Sequence, residues 1–152
     1  MRHDSLAALL LALAGCGEPV EDDHFARDVR EARPASAAVA TDAVAVRIGE
    51  LGPNFAACSA AGTPRNLAQG AALPVRSAPF DTAVEVGRIA AGSRFFVCTR
   101  SHDQRWLGVV HDAGGALEPR CGVSSPVVSR LAYAGPCRSG WVPAAFVKLV
   151  AD

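Results

Sequence analysis

The sequence lacks most of the patterns that announce catalysis. It has no phosphate-cradling glycine motif, no Gly-x-Ser-x-Gly elbow and no histidine pair at metal-ligating spacing. That leaves no sequence ground for a nucleotide-binding loop, a serine-hydrolase turn or a histidine metal centre. Aromatic residues are scarce, at 6% of the chain with one Tyr and two Trp, so aliphatic side chains must build most of the core. No apolar run approaches the ~20 residues a spanning helix needs. Charge of one sign is not in excess either: the formal net charge is +0 at pH 7.

That neutrality hides a division. Residues 17–42 hold seven acids against three arginines, and residues 46–152 hold seven acids against eleven Arg or Lys. An acidic tail is thus joined to a mildly basic part. At 152 residues the chain has room for one compact domain and something smaller, since domains commonly run to roughly 100–150 residues.

The longest apolar run, Leu6-Ala7-Ala8-Leu9-Leu10-Leu11-Ala12-Leu13, has the length of a signal-peptide core. The four residues Leu13-Ala14-Gly15-Cys16 close it. They resemble the lipobox of bacterial lipoproteins, with Asp4 a departure from the usual acid-free leader. The resemblance implies a signal peptide over 1–15, cleavage before Cys16, and diacylation of the Cys16 thiol. Gly17, rather than Asp, follows the cysteine; in Gram-negative lipoproteins this implies release to the outer membrane, here facing the periplasm. Each buried methylene of an acyl chain contributes ~0.8 kcal/mol of membrane affinity. The membrane is therefore the first expected partner, through the lipid. Residues 16–45, with Glu21-Asp22-Asp23, Pro34 and an Ala-rich stretch, show no sustained apolar period and read as a solvated tether.

Residues 43–50 alternate toward their end and predict a strand beside the main domain. Residues 59–70, with Gly62, Pro64 and Asn66, read as a loop, and 46–72 as an N-terminal extension laid against a barrel. From Leu73 the pattern sharpens. Residues 73–79, 84–89, 94–100 and 106–110 are four short alternating stretches separated by turn residues, and 139–149 is a fifth, interrupted at Pro143-Ala144-Ala145. The expected fold class is all-β, a small barrel over 73–152 with Val75, Ile89, Phe95, Val97, Val109, Val142 and Val147 facing inward.

These stretches resemble the bacterial SH3 domain. The elements that carry the resemblance are Leu73-Pro74-Val75-Arg76-Ser77-Ala78-Pro79, the glycines Gly87 and Gly92 around Ile89, Phe95-Phe96-Val97, Trp106-Leu107-Gly108-Val109, and Gly140-Trp141-Val142, in that order over about half the chain. The resemblance implies an SH3-like barrel that targets or scaffolds by binding peptidoglycan or an envelope protein or peptide. The chain departs from the family pattern at 111–139, where a long insertion replaces a short turn. Such a loop is either functional or stapled.

Beyond Cys16 the cysteines are Cys58, Cys98, Cys121 and Cys137. An even number in an exported chain predicts two disulfides among three possible pairings. Cys121 and Cys137 bracket the insertion, which leaves Cys58 for Cys98; Cys98 faces out of the barrel if Phe95 and Val97 face in. A four-cysteine zinc site would want a Cys-x-x-Cys pair, which is absent, so no metal and no cofactor is expected. A nucleophile built on Cys98 and His102 has nothing to orient the imidazole.

The domain's acids, Glu50, Asp81, Glu85, Asp103, Asp112 and Glu118, fall mostly in turns, and His111 reads as a surface residue at a strand end. No catalytic residue is assigned and the chain is not expected to be an enzyme. The ligand-binding candidates are Trp106, Tyr133 and Phe80, whose flat faces suit sugars or peptides, and Arg76. Arg100, Arg105, Arg120, Arg130 and Arg138 add positive charge that could meet the carboxylates of peptidoglycan stems. Nucleic acid is not expected as a partner of an exported chain. The alternative role is that of an assembly lipoprotein docking into an envelope complex through 111–139.

Overall fold

A computed structural model describes residues 43–150. The expected signal peptide at 1–15, Cys16 and the expected tether up to residue 42 lie outside the described residues. The described part is all-β, with strands β1 (Arg47–Ile48), β2 (Ala60–Pro64), β3 (Ala72–Arg76), β4 (Glu85–Ala90), β5 (Phe95–Arg100), β6 (Trp106–His111), β7 (Leu131–Ala132), β8 (Arg138–Pro143) and β9 (Val147–Val150). Two short 3-10 turns, Pro119–Cys121 and Ala144–Phe146, complete it. The second is the non-strand link expected between the two halves of the closing stretch.

Seven strands form one antiparallel sheet in the order β4-β3-β8-β6-β5-β2-β9, and β1 pairs with β7 in a separate two-stranded sheet. The large sheet is open, with β4 and β9 as its edges. Side chains from β3 near one edge and from β9 at the other join a single buried cluster: Leu73, Val75, Ile89, Phe95, Val97, Leu107, Val109, Val142 and Val147. Those residues can meet only if the sheet wraps around them. All seven residues expected to face inward are in that cluster.

The opposite face is also covered. Phe96, Cys98, Trp106, Val110 and Trp141 alternate with the first set and form a second cluster with Val46, Ile48, Ala57, Cys58, Cys121 and Val123. The cover comes from outside the sheet, from 46–58 and from the long 111–139 loop. Strand β6 is consequently buried at every position, as a strand covered on both faces must be, and its Trp-Leu-Gly-Val-Val run is continuously apolar. Gly108 is the concession to close packing there: a Cβ would lie 2.5 Å from the Thr99 methyl and 3.2 Å from Val46.

One expectation is corrected. Residues 59–70 are not wholly loop, because 60–64 form β2 inside the large sheet, hydrogen-bonded to β5 and β9. The segment lacks bulky apolar residues for a geometric reason. A Cβ on Gly62 would sit 2.8 Å from the Phe95 ring and 2.9 Å from Val147, so a strand here must carry almost no side chain on its inner face. Such a strand leaves no period-two signal. The strand expected over 43–50 shrinks to β1, since 43–46 run past the sheet and tie to it through single bonds: the Val44 N–H donates to the Ser77 carbonyl at 2.9 Å, and the Trp141 Nε1–H donates to the Val44 carbonyl at 2.7 Å.

The disulfides are Cys58–Cys98 and Cys121–Cys137, the pairing that bracketing of the insertion gives. The first bridges chain positions 40 apart and fastens the extension to β5; the second bridges positions 16 apart and closes the loop. Loop-closure entropy assigns them about 4 and about 3 kcal/mol respectively, before native-state strain.

Candidate functional site

The sheet positions a groove of about 420 Å³ between the 44–50 segment, the β5–β6 turn and the loop. That is within the range of about 300–1,000 Å³ usual for small-ligand clefts. Its walls include Arg47, Glu50, Thr99, Arg100, His102, Arg130 and Trp141. A second groove, of about 320 Å³, adjoins it and shares Glu50, Thr99 and Arg100.

A β-bulge puts Thr99 there. Val97 pairs with Val109 and Thr99 with the next residue, Gly108, so Cys98 is the extra residue in β5. The bulge turns both Cys98 and Thr99 toward the covered face: Cys98 bonds to Cys58, and the Thr99 hydroxyl donates to Glu50 Oε1 at 3.4 Å. Glu50 is the electrostatic centre. Its Oε1 lies 3.7 Å from Arg47 Nε, and its Oε2 accepts from Arg130 Nη1 at 3.2 Å. Arg47 and Glu50 come from the same segment, while Arg130 lies 80 residues on and is delivered by the pairing of β1 with β7, which registers Ile48 opposite Leu131. Arg47 and Arg130 thus flank one carboxylate, and Arg100 is a third arginine along the walls of the same groove.

The β5–β6 turn that supplies His102 is rigidly built. The Ser101 hydroxyl donates to Asp103 Oδ1 at 2.6 Å, the Arg105 N–H donates to the same oxygen at 3.1 Å, and the Trp106 N–H donates to Ser101 Oγ at 3.0 Å. The Ser101 hydrogen bond, then the Arg105 N–H, hold the Asp103 carboxyl below its ordinary value. Gln104 takes a positive φ of 59° to close the turn.

The sequence candidates fare differently. Trp106 is corrected: it is 6% exposed, packed under the extension and the loop, and offers no face to a ligand. Tyr133 is half-buried and anchors the loop. Its hydroxyl donates to the Cys121 carbonyl at 3.1 Å and accepts from the Cys137 N–H at 3.0 Å, tying together the two residues that the disulfide joins. Arg76 donates to the Ala83 carbonyl at 2.8 Å and so braces the turn that carries Phe80. Phe80 is exposed and follows Pro79, which lines the groove. His111 is also corrected, since it is 4% exposed rather than on the surface. It lies opposite Arg138 at the end of the β6–β8 pairing, with its Nε2 3.9 Å from where a Cβ on Gly87 of β4 would sit. Burial, before any charge, pushes its imidazole below the usual value. Asp112 is held low chiefly by the Gly114 N–H, with Arg120 paired to it.

Reading the sequence alone passed over Arg47 and reduced Glu50 to a turn acid. The signal was their i,i+3 spacing at a strand end, too common to be diagnostic. Among the described residues no group of three or more His, Cys, Asp or Glu could hold a metal ion, and no helix is long and apolar enough to cross a membrane. Comparison with family models, curated proteins and solved structures found no match.

Proposed function

We propose that this chain is a lipid-anchored cell-envelope protein, acylated at Cys16, whose all-β domain is an SH3-like module that binds peptidoglycan without catalysis. The observation that carries the binding reading is the cationic groove, whose walls include Arg47, Arg100 and Arg130 against a single acid, Glu50. Its size suits one short peptide branch better than the broad face of a folded partner, which typically takes about 800 Å² per side. Two disulfides in the domain fit an oxidising compartment, and the lipobox-like Leu13-Ala14-Gly15-Cys16 supplies the route there. Co-sedimentation of the full chain with purified sacculi tests the reading. Binding that weakens with added salt is expected, and a chain that stays in the supernatant at low salt overturns it. Intact mass of the exported protein checks the anchor: cleavage before Cys16, added acyl mass and the loss of four hydrogens should appear together.

A second reading, an assembly subunit docking through the 111–139 loop, is favoured by Val128, which is 92% exposed at the loop's outer reach. Most of that loop is committed elsewhere, with Cys121 and Val123 in the core. Crosslinking followed by co-purification separates the two, since a permanent subunit brings one stoichiometric protein with it.

A further inference from the structure

We infer that the domain rests two loop tips, at 51–55 and 127–129, in the interface of the bilayer to which its lipid holds it; the inference rests on the lipid-anchor reading and adds to it a second contact with the membrane, made by the protein itself. Among the described residues four large hydrophobics are more than half exposed, Leu51, Phe55, Val84 and Val128, and three of them stand on these loops. The loops rise from one base. The Ala57 N–H donates to the Ser125 carbonyl at 3.0 Å, the Cys58 N–H donates to the Val123 carbonyl at 3.0 Å, and Ile48 pairs with Leu131. A Cβ on Gly49 would lie 2.6 Å from a Val127 methyl and 3.2 Å from the Ser129 carbonyl oxygen, so the first loop is packed on the second. The 51–55 tip is a fixed turn: Gly49 and Gly52 take φ of 79° and 90°, the Gly52 N–H donates to the Gly49 carbonyl at 3.1 Å, and the Phe55 N–H donates to the Gly52 carbonyl at 3.3 Å. Both disulfides fasten the base, through Cys58 and Cys121. Apolar side chains held out on braced loops are ordered before contact, which lowers the entropy lost on docking.

Charge and area select the occupant. In a chain of which 20% is charged, 51–64 and 121–129 hold no Asp, Glu, Lys or Arg, so burying the tips strips no ion of its water. Arg47, Glu50 and Arg130, which flank the tips in sequence, are already paired with one another. Three tip side chains offer on the order of 300 Å², far below the ~800 Å² per partner of a stable protein interface. A bilayer interface accepts protruding side chains singly and binds them in proportion to their apolar area. Ala43, where the described chain begins, follows Cys16 by 27 positions. A span of that length reaches less than about 100 Å, which keeps the tips at high effective concentration beside the lipid surface, so a weak intrinsic affinity is enough.

The test takes the exported chain, isotope-labelled, on phosphatidylcholine nanodiscs whose headgroups carry a gadolinium chelate, and reads line broadening amide by amide, with intact mass measured on the same sample. The amides of Leu51, Phe55 and Val128 should broaden most, and added salt should leave the pattern unchanged because no unpaired charge contributes to it. Phe55→Glu/Val128→Glu, altered at two exposed positions, should lower the docked-to-free ratio about tenfold and leave the shifts of β5 and β6 in place. Broadening spread evenly over the domain, a maximum at β4 or β9, or an unchanged pattern in the double variant would each overturn the inference. A stoichiometric co-purified protein, or a doubling of mass with concentration, that the double variant abolishes would give the tips to a protein partner or to a second copy and overturn it as well. The two readings fail separately. Acyl mass with even broadening leaves the anchor standing and removes this face; localised broadening without acyl mass leaves the face and removes the anchor.

Discussion

The two faces of the large sheet are built by different means. The inner face closes on itself, since its cluster draws almost entirely on the strands' own side chains, Phe95 and Val142 among them. The outer face cannot do so. Phe96, Cys98, Trp106, Val110 and Trp141 are roofed by irregular chain, which forms few ladder hydrogen bonds and loses more backbone entropy per contact made. Both disulfides lie on that side. Period-two burial suffices where strands face strands, and covalent bonds supplement it where loops must lie on a sheet. The groove follows from the second arrangement, because the irregular segments meet the sheet edge-on and leave a channel between them.

The sharpest way to break this contrast is to hollow each face in turn. Phe95→Ala on the inner face should cost about 3–5 kcal/mol, and because every strand of the large sheet meets there the unfolding should remain a single transition in urea. Removing the outer staple with Cys58→Ala/Cys98→Ala should cost about 3–4 kcal/mol but fall unevenly. Hydrogen exchange should quicken at 47–58 before it does at β6; uniform quickening would mean that the roof and the sheet are one cooperative unit. Tyr133→Phe, which removes one hydroxyl from the loop's base, should cost about 1 kcal/mol, with the loss confined to the loop.

Smallest is the pH effect of His111, the buried imidazole at the junction of β6 and β8. Its folded value lies below the ordinary 6.5, so on acidification the unfolded chain takes up a proton before the folded one does. Stability should be flat above pH 6.5 and should fall below it, until the folded imidazole also titrates. His111→Gln should flatten that slope in a denaturant series between pH 7 and 5. Asp103 and Asp112 are held below the ordinary carboxylate value of 3.8 and contribute only in a more acidic window. Arg138 disfavours the protonated His111 and Asp112 favours it, so Arg138→Ala should lessen the depression.

Much of the inner face was legible in the sequence because bulky aliphatics recur there at every second residue, from Val75 to Val147. Strand β2 was not, since Ala60, Ala61 and Gly62 bury backbone against Phe95 and Val147 instead of presenting side chains. The candidate site was scarcely legible. Arg130 was visible as charge, but its meeting with Glu50 requires two short strands, β1 and β7, to pair across more than 80 positions, and two-residue strands carry no period. Strict alternation from Phe95 and Val97 would turn Thr99 inward; the bulge at Cys98 turns it to the groove, and a bulge is set by the partner strand's register.

By itself the sequence determined the all-β class and the inward-facing set, because side-chain alternation is a local property of a chain, and it favoured one cysteine pairing of three, which the structure then gave. Tertiary structure alone decided which aromatics are buried, where His111 lies, and that two arginines meet one carboxylate. Those depend on which irregular segment lies over which face of the sheet, and that is fixed by long-range packing and two covalent bonds rather than by any residue's neighbours in sequence.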